Sequence, residues 1–117
     1  MSSYREALDR MNRISGVRGS MVVAAADGLV VEEELMVGVP GGAVAALVAS
    51  LFRRARRSVE AAELGSAAFV QVEGESGFLF AAAPAASADL LLVVIAERWV
   101  NVGMVRLEAA RTAGALE

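Results

Sequence analysis

The sequence predicts an α+β domain whose elements run α-β-β-α-β-β-β-α. Three observations carry that reading. Leu90 to Ala96 is an unbroken apolar run of strand length that stops at Glu97, as expected of a central strand covered on both faces. Ala43 to Leu64 repeats its apolar residues at helical spacing. Between that helix and the last one, strand patterns follow one another with only short connections, so those strands are antiparallel. Runs of strands, rather than alternation of strand and helix, point away from a doubly wound sheet.

Taken in order, Ser3-Tyr4-Arg5-Glu6 has the form of a capping box, with serine ahead of the helix and glutamate three residues on. Tyr4, Leu8, Met11 and Ile14 then recur at helical spacing. The first helix is therefore expected over Tyr4 to Ser15, with Gly16 as its left-handed end. Ser20 to Ala26 is a run of small and apolar residues that fits a central strand. Asp27-Gly28 turns the chain, because glycine accepts positive φ, and Leu29 to Leu35 returns as a strand. Glu32, Glu33 and Glu34 place that strand at or near a solvated edge. Met36 to Gly42 is a loop by its glycine and proline chemistry.

In the long helix, Val44, Leu47, Val48, Leu51, Phe52, Ala55, Val59 and Ala62 fall on one face, expected to pack inward. Ala46, Ala49, Ser50, Arg53, Arg57 and Glu60 form the opposite face, and Gly65 ends the helix. Ala67 to Glu73 alternates, with Ala68, Val70 and Val72 on one side and the wetter set Phe69, Gln71 and Glu73 on the other. Gly74 to Gly77 turns into a strand over Phe78 to Ala83, and Pro84 to Ala88 leads to the central strand. The last helix spans Trp99 to Ala115. Trp99, Val102, Gly103, Leu107 and Ala110 share a face there, with Gly103 allowing close packing on the sheet.

A chain of 117 residues makes one domain and buries enough surface to fold without metals or disulfides. Its mean hydropathy of +0.54 is high for a soluble monomer. A membrane span would need about 18 continuous apolar residues, and no such run exists. Self-association that hides an apolar surface is the better account, discounted for the abundance of alanine. The first ten residues lack the apolar core of a signal peptide, so a cytoplasmic location is expected. A net charge of −3 argues against nucleic-acid binding.

The reactive inventory is thin. Cysteine and histidine are absent, which removes thiol chemistry, the commonest metal ligand and the commonest proton shuttle. A Ser-His-Asp set is therefore excluded. All eleven basic residues are arginine, so a Walker-type nucleotide loop has no lysine to use. Glu32 and Glu34 share a strand face, but two carboxylates without histidine make a poor metal site. No catalytic, cofactor-binding or metal-binding residue is assigned, and the expected role is binding or regulation.

Several short motifs follow one another along the chain: Leu8 with Ile14-x-Gly16-Val17-x-Gly19, then Asp27-Gly28-Leu29-Val30-Val31, then Leu90-x-Leu92 with Asn101-Val102-Gly103-x-x-Arg106. In this order they resemble the Roadblock family, the dynein light-chain type whose bacterial and archaeal members accompany small Ras-like GTPases. The resemblance spans essentially the whole chain. It implies a five-stranded antiparallel sheet, with the long helix on one face and the first and last helices on the other. It also implies a homodimer in which third strands pair into one continuous sheet and second helices pack side by side. Here that strand is Ala67 to Glu73, which contributes Phe69, Gln71 and Glu73, while Ala46, Ala49, Ser50, Arg53 and Arg57 are the helix candidates. The implied partner is a small Ras-like GTPase whose nucleotide cycle the dimer modulates. Alternatives are an adaptor that leaves GTPase activity unchanged, and a small-ligand sensory domain.

Arg53, Arg54, Arg56 and Arg57 form the strongest charge cluster. A solvated helix end explains it, since cations favour the negative end of the helix dipole. A docking patch for an acidic partner is the functional reading, and an arginine supplied in trans to a GTPase is its extreme form.

Overall fold

The computed structural model describes residues 3–85 and 89–116. Its elements are α1 (Ser3–Asn12), β1 (Val17–Ala24), β2 (Val30–Leu35), α2 (Gly41–Ala61), β3 (Phe69–Glu73), β4 (Gly77–Ala82), β5 (Leu90–Glu97) and α3 (Val102–Gly114). The strands form one antiparallel sheet in the order β2-β1-β5-β4-β3. The expected element order and fold class are therefore those observed. The capping role expected of Ser3 rests on a side chain outside the described residues, as does the 86–88 part of the expected Pro84 to Ala88 loop.

The inner strands β1 and β5 carry apolar runs for a simple reason: both of their faces are covered. Val22, Leu92 and Val94 point to one side, where Leu8 and Met11 of α1 and Val105, Ala109 and Ala113 of α3 close over them. Met21, Val23, Leu91 and Val93 point to the other side, under Ala45, Val48, Ala49 and Phe52 of α2. The outermost strands, β2 and β3, lie at opposite edges, and α2 crosses one face to connect them.

The turn at Asp27-Gly28 forms as expected. Gly28 has φ +76°, its N–H donates to the Ala24 carbonyl at 2.9 Å, and Asp27 Oδ1 accepts from the Leu29 N–H at 3.1 Å. Gly28 serves packing as well, since a Cβ there would come within 2.8 Å of Ala46 Cα. The first helix ends at Asn12 rather than Ser15. Asn12 is occupied by bonds that tie α1 to the sheet: it accepts from the Ser20 hydroxyl at 2.8 Å and donates to the Glu34 carbonyl at 3.0 Å.

Three expectations are corrected. The long helix ends at Ala61 through a Schellman arrangement, with Leu64 N–H on the Val59 carbonyl and Glu63 N–H on the Glu60 carbonyl. Glu63 takes the left-handed position at φ +60°, so Gly65 is not the terminator. In α3 the buried residues are Val105, Ala109, Thr112 and Ala113, while Trp99, Leu107 and Ala110 are exposed. Gly103 is exposed too, and a Cβ there would meet only the Asn101 side chain, so it does not serve packing on the sheet. The helix starts instead on Asn101, whose side chain caps the Met104 N–H at 3.0 Å.

The third correction concerns the face of α2. Ala45, Val48, Ala49 and Phe52 are buried, whereas Leu47 is 72% exposed and Leu51 is exposed. Apolar periodicity centred the inner face on the large side chains. Close approach of a helix to a sheet is made instead by small ones, here Ala45 and Ala49 one turn apart.

Candidate interaction surface

Rotation of α2 sorts the expected site residues into two groups. Ala49 is fully buried beneath the β1–β2 turn and does not point outward. Ala46 is exposed at its side chain, but its backbone lies against Gly28. Arg53 donates to the Ala25 carbonyl at 2.7 Å, so it clips α2 to the end of β1. Arg56 lies over the Phe52 ring at 5.6 Å. Ser50 is half-buried, and Arg54 and Arg57 are exposed. Half of the arginine cluster thus has an internal structural role, and Arg54 and Arg57 present the charge to solvent.

The opposite flank of α2 carries apolar groups that the fold leaves open. Val44, Leu47 and Leu51 face Val72 of β3 and Leu79 of β4 across a groove of about 260 Å³ that is lined almost wholly by carbon. Beyond Val72 and Leu79 a second open depression continues to Ile95 and Arg18. Apolar surface of this kind in contact with water is unfavourable by roughly 25 cal/mol per Å², and covering it supplies a driving force for association.

The groove ends at β3, an edge strand. Gly74 N–H bonds the Gly77 carbonyl at 2.8 Å and the Ala68 carbonyl accepts from Ala83 N–H at 3.0 Å. Residues of even number in this strand therefore direct their amide groups at β4, and by alternation Phe69, Gln71 and Glu73 direct theirs away from the sheet. On the α3 side, Phe69 packs on the core while Gln71 and Glu73 are exposed. Arg106 sits over the Phe69 ring at 4.5 Å and donates to Gln71 Oε1 at 3.3 Å. Arg98 pairs with Glu73 at 2.8 Å.

Sequence reasoning named Phe69, Gln71 and Glu73 but missed Val44, Leu47, Leu51, Leu79 and Arg106 as parts of this surface. The signal that could have found the leucines was the parallel spacing of Ala45 with Ala49 and of Leu47 with Leu51. It marks two apolar stripes on one helix, where a helix covering a sheet needs one.

At the far edge, Glu32 and Glu34 share a face of β2 as alternation requires. Arg5 of α1 bridges them, at 3.1 Å to Glu32 and 2.7 Å to Glu34. No group of three or more acidic side chains converges as a metal site among the described residues. None of the described helices is long and apolar enough to cross a membrane.

Comparison with known proteins agrees with this architecture. The gliding protein MglB from Thermus thermophilus superposes with a TM-score of 0.84 at 21% identity, over 99% of this chain and 89% of that one. A Roadblock/LC7 domain from Streptomyces avermitilis gives 0.81 at 22% identity, over 92% and 89%. The uncharacterized protein MJ0714 of Methanocaldococcus jannaschii is 32% identical over 112 residues, which is 96% of this chain and 92% of that protein. The Roadblock/LC7 domain model matches residues 4–96, from the first helix to the last strand. With sequence, topology and helix placement in agreement, the chain belongs to the Roadblock/LC7 domain family.

Proposed function

We propose that the whole chain, residues 1–117, is a single Roadblock-type domain that works in the cytoplasm as a homodimeric, non-enzymatic regulator of a small Ras-like GTPase. The observation that carries this reading is the open groove between α2 and β3, beside an edge strand with outward amide groups. A second copy would extend the sheet through β3 and set the two α2 helices side by side, covering Leu47, Leu51 and Val72. Phe69, Gln71 and Glu73 would form the strand contact. Ser50, Arg54 and Arg57 would remain available to a partner, while Ala49 and Arg53 contribute by holding α2 in place.

The family resemblance supports the choice of partner, and the mechanism would be conformational. A preformed dimer platform favours one arrangement of the GTPase switch segments and shifts their population by its differential affinity.

The decisive experiment mixes the protein with the small GTPase encoded nearest to it and follows nucleotide hydrolysis and exchange. A changed rate supports the regulator. Binding with unchanged rates makes the protein an adaptor, and absence of binding removes the GTPase from the reading. Light scattering tests the dimer separately, and a 12.1 kDa particle at micromolar concentration would overturn it.

A further inference from the structure

Among the described residues Arg106 is a cation without a carboxylate. Its guanidinium rests on Phe69 and makes one long hydrogen bond to Gln71, and among the described residues no acid pairs with it. Glu73, two residues beyond Gln71, is 54% exposed at its side chain and pairs with Arg98. These groups lie along the rim of the edge that would meet a second copy.

Symmetry limits how two β3 strands can join. They would run antiparallel about a two-fold axis. Gln71 is the middle residue of Phe69–Glu73. With the axis at Gln71, every outward amide group of Phe69, Gln71 and Glu73 finds a partner across the junction. A different centre shortens the ladder and leaves Phe69 or Glu73 amide groups unpaired. The central register sets Gln71 opposite Gln71 of the second copy, and Phe69 opposite Glu73. Directly opposed residues point to the same sheet face, with Cβ atoms roughly 5 Å apart. The incoming Glu73 therefore arrives beside the Phe69 ring, where Arg106 already lies.

We propose, resting on the homodimer reading above, that Arg106 of each subunit clasps Glu73 of the other and that this pair of charge clamps selects the β3 register and a like partner. Each Glu73 is then shared between Arg98 of its own subunit and Arg106 across the junction. The two-fold axis repeats the clamp at both ends of the ladder. On the opposite face the same register lays Val72 against Val70 of the second copy and closes the apolar groove. The groove supplies affinity without direction, and the clamps supply register and discrimination, because misplaced like charges at an interface are strongly unfavourable.

The test uses full-length protein and two charge reversals. Arg106→Glu and Glu73→Arg should each weaken the dimer by about tenfold or more in sedimentation. An equimolar mixture of the two variants should recover tight association as a heterodimer, since each junction then regains one cation and one anion. The chain has no cysteine, so Gln71→Cys supplies a clean register probe. Its Cα should face its own copy at roughly 5.5 Å, within disulfide range, and cross-link readily. If wild type dimerises but both reversals bind as wild type, or the mixture gains nothing, the clamp is wrong and the dimer stands. A wild-type dimer in which Gln71→Cys fails to cross-link overturns the register. A monomeric wild type removes the homodimer itself and the clamp with it.

Discussion

Thr112 is buried in α3, and among the described residues its hydroxyl has no hydrogen-bond partner. A buried hydroxyl left without a partner is unfavourable by about 1–3 kcal/mol, while an apolar group of the same shape carries no such penalty. Thr112→Val should therefore raise unfolding stability by up to about 1 kcal/mol in denaturant titration, with the m-value unchanged. Gly28 is the opposite case. Positive φ and the approach of α2 both exclude a side chain. Gly28→Ala is expected to lower stability by about 1–3 kcal/mol, measured the same way.

At the scale of the element, the end of α2 holds a correctable defect. Glu63 occupies the left-handed position of a Schellman motif, where glycine is the favoured residue. It is exposed and makes no ion pair among the described residues. Glu63→Gly should raise the midpoint of thermal unfolding, with a gain of about 0.5–1 kcal/mol. Most elements were legible in the sequence because strand and helix periods differ and because Asp27-Gly28 has one natural conformation. The orientation of α2 was not. Its sequence has two apolar stripes, and choosing between them depends on the height of the sheet beneath, which no single-helix pattern encodes. The same error put Ala49 outside and Leu47 inside. Arg106 was visible only as part of a motif, because its neighbours Phe69 and Gln71 lie on a strand far away in sequence.

For the whole molecule, the separation of stability from association is the useful test. Leu47 is exposed in the single subunit, so Leu47→Arg should leave the fold of the monomer intact while removing the dimer from light scattering. Ala49→Arg would not make this distinction, because it places a charge in the core under α2. Should Leu47→Arg remain dimeric with wild-type affinity, the groove is not the contact.

The two rims of the sheet are unlike, and this governs how far assembly can proceed. A protein with two receptive rims would add copies without limit. Here β2 bears Glu32, Glu33 and Glu34 in succession, with a bulge at the Val22/Val23 step of its pairing and Arg5 anchored across two of the acids. A second β2 brought alongside would meet like charge, and the irregular backbone offers a broken template. In the proposed dimer the β3 rim would take the second copy and be consumed once that copy had docked. On that reading the sheet would stop growing at two copies, and a filament-forming variant should be sought by neutralising the glutamates of β2 rather than by altering the junction.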